Sequence, residues 1–453
     1  MGNNYVTCEE GKSQYGDQPI KGPVEARYIR PLDPDFAGNP LIEALPLPRT
    51  GNDTIDAYTQ VLKGYDPDKA FRLDRLEKLL QIRKLREVRA SLPFDQSLED
   101  DFYTALVDTY SRRELIPTDD DQTCIVEDKE VPCGNILVGD PGDATYGYFS
   151  VTGFGGTGKS SAIKILKSHY PQAIRHSDGK NGYFTQIVYL VVVCKPNGNI
   201  KSLFDSIGNA VDMALRNTKH THRDKVQNQR DMGKKVEAVE DLIETFSVGA
   251  IIFDEIQLLD NTGTSKQSSY SYLLDLMNET KISMITVGTQ DAREHLFPEL
   301  HTARRTGATI DASAYCDDRD IVFPMLVRNL FHYQWCPPEE RVEVVKNPAE
   351  ATKEEVDAWN DIVDTLYELT KGIVDNLVTL YSRAWVDYIN RPENNKPKIN
   401  GAYFRKIAYK YYPGIQTILK QMDYEGLFDA NKKVKDDMYA YIDDESQKPR
   451  PGS

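Results

Sequence analysis

Hydrophobic positions change period several times along the chain, and each change predicts an element. Over residues 68–90, Phe71, Leu73, Leu76, Leu79, Leu80, Ile82 and Leu85 recur at helical spacing and predict one long helix. Residues 146–151 read as a strand and 159–169 as a helix. Residues 186–194 read as one buried strand, because Ile, Val, Tyr and Leu follow one another without polar interruption. Residues 250–253 and 282–287 add two short β-branched strands. Strands separated by helices predict an α/β fold with a parallel sheet covered on both faces. Beyond about residue 320 the strand patterns stop, and residues 356–369, 373–389, 403–412 and 415–427 predict helices. Residues 1–55, rich in Pro and Gly with apolar clusters such as Leu41-Ile42-Glu43-Ala44-Leu45, read as an extended docking segment. Residues 117–145, with Pro117, Pro132 and Pro141, read as a linker or long hairpin.

Composition narrows the class. The 453 residues are 40% hydrophobic and 28% charged, a globular balance. The longest apolar run, 187–194, is far short of the roughly 18 residues a membrane helix needs, so no membrane partner is expected. Met1-Gly2-Asn3-Asn4-Tyr5-Val6 begins like a myristoylation site but has Val6 where Ser or Thr is wanted, and no signal-peptide core follows. Six cysteines with no C-x-x-C pair predict a reducing, cytoplasmic setting.

Net charge is −15, so any hold on nucleic acid must be local. Asp119-Asp120-Asp121 and the tail residues Asp436, Asp437, Asp443, Asp444 and Glu445 read as solvated acid. Residues 216–235 run the other way, with seven basic residues against two acidic ones. Few aromatics interleave them, so the segment reads either as a solvated loop or as a phosphate-contacting surface rather than a base-stacking one; in the second reading Arg216, Lys219, Arg223 and Lys225, with Lys195 and Lys201 nearby, are the DNA-binding candidates. The 68–90 segment carries eight basic and four acidic residues, either a solvated helix face or a partner surface. Tyr403, Phe404, Arg405, Lys406, Tyr409, Lys410, Tyr411 and Tyr412 form a basic-aromatic cluster read mainly as core packing, with an interface as the alternative.

Gly153-Phe154-Gly155-Gly156-Thr157-Gly158-Lys159-Ser160 fits G-x-x-x-x-G-K-[ST] between a predicted strand and a predicted helix. Glycines let backbone N–H groups curl around phosphates, and the helix N-terminus adds its positive dipole end. The nucleotide-binding set runs from Gly153 to Ser161, with Lys159 for the β- and γ-phosphates and Ser160 as a Mg²⁺ ligand. Ile251-Ile252-Phe253-Asp254-Glu255 then ends a strand in paired carboxylates. Asp254 is expected to hold the Mg²⁺ water shell and Glu255 to polarise the water attacking the γ-phosphate of ATP. The next strand ends at Thr289-Gln290, between the other two. Thr289 is the better candidate to touch phosphate and water. Arg304 and Arg305 are candidates for an arginine acting in trans, Arg305 slightly favoured.

These segments resemble an AAA+ ATPase, and more narrowly the TnsC-type transposition regulators of target-selecting bacterial transposons, some of them CRISPR-associated. The resemblance spans about residues 39–310. It is carried by Asn39-Pro40-Leu41-Ile42-Glu43-Ala44-Leu45-Pro46, the loop and helix from Gly153 to Leu166, Gln186-Ile187-Val188-Tyr189-Leu190, Phe253-Asp254-Glu255-Ile256-Gln257-Leu258-Leu259, Val287-Gly288-Thr289-Gln290-Asp291-Ala292-Arg293-Glu294 and Ala303-Arg304-Arg305. It implies an N-terminal extension over 1–116 that meets a TniQ-type selector, a linker or hairpin over 117–145 and an ATPase core over 146–320. A helical, transposase-facing lid over 321–428 and a flexible acidic tail over 429–453 complete the expected order. It also implies self-assembly into hexamer- or heptamer-like rings or filaments on duplex DNA, contact with a transposase and its endonuclease partner, and disassembly on hydrolysis. Arg383 is a guess for a second sensor. The alternatives are a STAND-type signalling switch that oligomerises without DNA, and a replication-initiator or loader ATPase.

Overall fold

Three parallel registers decide the architecture. Ala250 pairs with both Ser283 and Tyr189, which places β10 (Ala250–Asp254) between β11 (Ser283–Gly288) and β9 (Tyr189–Val193). β11 is also parallel to β6 (Tyr148–Thr152), and β12 (Thr309–Asp311) completes the order β12-β6-β11-β10-β9. This computed structural model describes the chain except residues 1–4, 9–11, 17–21, 117–122, 127–128, 133–134, 139–147, 179–181, 196–198, 259–265, 290–308, 346, 348 and 426–453. It divides into two compact units. Met1–Thr54, Phe94–Thr152 and Lys159–Ile310 make the first; Ile55–Pro93, Gly153–Gly158 and Asp311–Ser453 make the second.

The first unit is the expected α/β body. Helix Ile200–Leu215 buries Leu203, Phe204, Ile207 and Val211, and helix Met232–Thr245 buries Val236, Val239, Leu242 and Ile243. Both stripes join Val192, Ile251 and Phe253 of the sheet in one core. Helix Phe94–Ser111 packs on β10 and β11, where Thr109 Oγ1 donates to Ser283 Oγ at 2.8 Å.

The strand expected over 186–194 is two strands in two sheets. β7 (Ala173–Asp178) and β8 (Gly182–Ile187) form an antiparallel hairpin, and β1 (Val24–Glu25) runs parallel beside β7. The chain leaves that sheet at Val188, whose N–H donates to Gln172 O at 2.9 Å, and enters the five-stranded sheet at Tyr189. Both pieces are buried, so the apolar run continues through a change of sheet that periodicity does not register.

The N-terminal residues also differ from an extended docking segment. Leu41, Ile42, Ala44 and Leu45 are buried, and Asn39 caps the turn Pro40–Glu43 while its Nδ2 donates to Tyr110 O at 3.0 Å. Glu43 is buried too, its Oε1 accepting from Tyr5 Oη and from Gly38 N, each at 2.7 Å. Arg49 and Glu99 form a buried ion pair at 2.6 Å, with Arg49 Nη2 also donating to Ile165 O. This stretch is packed into the body: the turn Pro40–Glu43 lies against helix Phe94–Ser111, and Gln186 Nε2 donates to Leu41 O at 2.9 Å. Over 113–138, β2 (Arg113–Ile116) pairs antiparallel with β5 (Asn135–Val138), and β3 (Thr123–Val126) with β4 (Lys129–Pro132), which is the hairpin alternative.

The second unit is helical, with helices Val322–Phe331, Lys353–Thr370, Val374–Ile389, Gly401–Tyr411 and Pro413–Glu425. Trp335, Trp385, Tyr381, Phe331 and Phe404 form its aromatic core. Residues 55–93 belong here rather than to the N-terminal part: Tyr65 Oη donates to Gln334 O, and Trp335 Nε1 to Gln81 Oε1 at 2.9 Å. The long helix expected over 68–90 is broken into Pro67–Ala70, Arg75–Arg83 and a 3₁₀ turn Lys84–Glu87. Asp74 causes the break, because its carboxylate and that of Glu77 form a reciprocal capping box. In the basic-aromatic cluster Tyr403 and Phe404 are core, while Tyr409 is exposed. Burial raises the Asp387 carboxyl, but hydrogen bonds from Arg391, Tyr403 and Tyr411 outweigh it and hold it at about 2. Among the described residues no helix is long and apolar enough to cross a membrane.

Candidate functional site

Strand order sets the chemistry. In an open parallel sheet, ligands gather at the carboxyl ends of the strands. β6 ends at Thr152, one loop before Lys159, and β10 ends at Asp254; β11 lies between them, with Gly288 opposite Thr152 and Val287 opposite Asp254. Thr289 follows directly, so it leaves the sheet between the strand leading to the loop and the strand bearing the carboxylates. Thr289 is buried, while Lys159 is half-buried and Ser160 and Ser161 are exposed at the start of helix Lys159–His169.

Asp254 is only partly exposed, and burial raises its carboxyl above the usual range. The Glu255 N–H, Lys167 and Lys159 pull the other way without cancelling that effect. A half-buried carboxylate with a lysine nearby, followed in the donor set by the Ser160 hydroxyl, suits a hard divalent cation bound together with phosphate oxygens. The sign of the shift gives a test. A raised pKa means the folded state holds the proton more tightly, so stability falls as pH rises from the ordinary carboxylate range through the raised value. Without Mg²⁺ at neutral pH, Asp254→Asn is expected to melt above the parent, and the gap should close below about pH 4. Thermal scans at the two pH values check this.

The loop Gly153–Gly158 belongs to the second unit, braced by one bond within itself and fastened to the rest of the unit by three. Phe154 N donates to Ser313 Oγ at 2.7 Å, Thr157 Oγ1 to Phe154 O at 2.9 Å, Tyr315 Oη to Thr157 O at 3.3 Å and Asp375 N to Gly156 O at 3.1 Å. Gly155 is half-buried between them. Gly156, at φ +80°, has no room for a side chain, since a Cβ would stand 2.9 Å from Asp375 Cβ. Ser313, Tyr315 and Asp375 carry no signal in the sequence, because they meet the loop only through the fold. Arg383 stacks over the Tyr411 ring at 3.9 Å. Arg304, Arg305 and Gln290 lie outside the described residues.

The basic segment forms a reversal at the end of helix Ile200–Leu215. Arg216 and His220 both take left-handed backbone, and the short helix Thr221–Gln227 turns back against Gly208, where a Cβ would meet His222 O at 2.9 Å. Asp212, buried beneath, accepts from His222 N, Arg223 N and Asn217 Nδ2 at 3.2, 2.9 and 3.3 Å. Arg216, Lys219, Arg223, Lys195 and Lys201 are exposed. Two lysines are otherwise engaged. Lys225 bonds Asp241 at 3.0 Å on the surface, and Lys235, 3% exposed, pairs with Asp205 and donates to Val226 O.

Residues 143–296 match the family model described as an AAA domain. Those residues carry an AAA+ domain. That domain points to an ATPase. No curated protein sequence matches the chain. Among solved structures, the Aeropyrum pernix ORC1 protein in complex with DNA is similar, at 13% identity and TM-score 0.35 over 58% of this chain and 59% of that one. Drosophila ORC bound to GC-rich DNA and Cdc6 is similar at 12% identity and TM-score 0.24, over 58% of this chain and 85% of that one. The chain thus spans 59% of the first of these.

Proposed function

We propose that this chain is an ATP-dependent AAA+ regulator that assembles on duplex DNA, links a TniQ-type target selector to a transposase and its endonuclease partner, and comes apart on ATP hydrolysis in a bacterial cytoplasm. One observation supports the ATPase reading: β11 emerges between the strand leading to the phosphate loop and the strand ending at Asp254, and in this reading Thr289, which follows β11, contacts both phosphate and water. Lys159 holds the β- and γ-phosphates, Ser160 and Asp254 hold Mg²⁺ with its water, and Glu255 takes the proton from the attacking water. Bound Mg²⁺ offsets charge on the leaving phosphates. Arg304 or Arg305 of a neighbouring copy completes the site.

DNA contact is supported by the exposed cations on the reversal, whose shape comes from buried groups rather than from the cations themselves. Each phosphate contact removed lowers the salt slope of binding by about one. Lys219→Glu with Arg223→Glu is expected to abolish DNA-dependent assembly and flatten the salt dependence, whereas Lys225→Glu, already paired with Asp241, has a smaller effect. Electron microscopy of the protein on linear duplex, with and without a non-hydrolysable ATP analogue, tests the whole reading. Ordered assemblies only when both are present support it; nucleotide-driven oligomers indifferent to DNA indicate a signalling switch instead.

A further inference from the structure

Glu255 is held in an unusual way, and Gln257 does the holding. Its backbone is left-handed, φ +56°, a conformation that costs a non-glycine residue on the order of 1 kcal/mol. The Glu255 N–H donates to Asp254 Oδ1 at 3.0 Å, and Leu258 N closes a 3₁₀ turn onto Glu255 O at 2.9 Å, anchored by buried Ile256. From that turn Gln257 Nε2 donates to Glu255 Oε2 at 2.5 Å, while Gln257 Oε1 accepts from Thr289 N at 3.3 Å. The amide orientation is unambiguous, since the carboxylate only accepts and the backbone N–H only donates. Neither an apolar residue nor a carboxylate could fill both roles.

From this geometry we infer that Gln257 is a positioning residue: it sets the Glu255 carboxylate for water activation and ties it to the strand end at Thr289. The inference rests on the ATPase reading above. Glu255 is solvent-exposed, and an unrestrained glutamate spreads over many rotamers, whereas a general base must stand within about 3 Å of the proton it removes. Gln257 occupies Oε2, so in this reading Oε1 is the oxygen that accepts from the water. As the water oxygen bonds to the γ-phosphorus, the bond from that phosphorus to the β-phosphate oxygen breaks. ADP departs with that electron pair, and the water's proton passes to Oε1. The second bond, from Thr289 N, makes the placement depend on the end of β11, so the base is referenced to the sheet itself.

The test uses the full chain. Gln257→Met keeps the length and removes both hydrogen bonds, and is expected to lower kcat about 10- to 100-fold, with KM for ATP within about twofold and the parent's melting temperature. Gln257→Glu sets a second carboxylate against Glu255. Its kcat should be equally low near pH 8 and recover relative to the parent on acidification, because the introduced carboxyl, once protonated, donates as the amide did. In a Glu255→Gln background, Gln257→Met should add nothing, since it acts through Glu255. An unchanged kcat, a matched rise in KM, or full additivity with Glu255→Gln overturns the proposal. A parent with no ATPase activity dependent on Lys159 overturns both this and the reading beneath it; a working parent matched by Gln257→Met overturns the coupling alone.

Discussion

Glu255→Gln is expected to lower ATP turnover by about 10²- to 10⁴-fold while leaving ATP affinity near that of the parent. The substitution keeps the side chain's size and polarity, so the left-handed turn persists, with the backbone N–H of residue 255 donating to Asp254 Oδ1 and Leu258 N donating to the carbonyl of residue 255. Lys159, Ser160 and Asp254 are untouched, so in the proposed site phosphate and metal binding should survive. Only the proton acceptor is lost. Since disassembly in the proposed cycle follows hydrolysis, the variant should accumulate on DNA in its ATP-bound oligomeric form. Filtration or microscopy after addition of ATP reads this directly. Rapid turnover in the variant removes Glu255 from the role, and a variant that hydrolyses slowly yet leaves DNA as fast as the parent breaks the link between chemistry and disassembly.

Lys159→Ala acts one step earlier. An ammonium donating to phosphate oxygens makes charge-assisted hydrogen bonds of about 1.5–3 kcal/mol, so its loss should weaken ATP binding roughly 10- to 150-fold. Lys159 stands at the first position of helix Lys159–His169, whose buried face is Ala162, Ile163, Ile165 and Leu166. Alanine is a good helix former there, so the fold should survive. The expected protein is monomeric with or without ATP. Calorimetric titration gives the affinity, and light scattering the assembly. A normal oligomer at ATP concentrations that leave the variant unfilled would show that nucleotide is not the glue between copies.

The sheet body was legible because its signals are local. The phosphate loop sits where a β-branched strand stops, and Ile251–Phe253 had to be a buried strand before the Asp254-Glu255 pair meant anything. The placement of Thr289 followed once β11 was recognised as a strand, and the registers to Thr152 and Asp254 put it there. What escaped reading was decided by partners distant in sequence. The turn of sheet at Val188 depends on Gln172, and the burial of residues 41–45 depends on covering elements far along the chain. Residues 55–93 join the helical unit through Gln334 and Trp335, more than 250 residues away, and no pattern within them announces it. Gln257 was visible inside the Asp-Glu-Ile-Gln run, but its two hydrogen bonds depend on the 3₁₀ turn and on a strand end more than 30 residues further along.

The cationic reversal separates its scaffold from its charge. Asp212, Gly208, Val226 and the Lys235–Asp205 pair fix the backbone from beneath, and none of them projects the positive side chains outward. Exposed positions such as Lys219 and Arg223 are therefore open to exchange at little folding cost, about ±0.5 kcal/mol for a surface change away from structural features. Under the proposed function, the strength of DNA contact can be retuned there residue by residue without touching the residues assigned to hydrolysis. In that reading, grip strength and catalytic rate are inherited on separate sets of side chains.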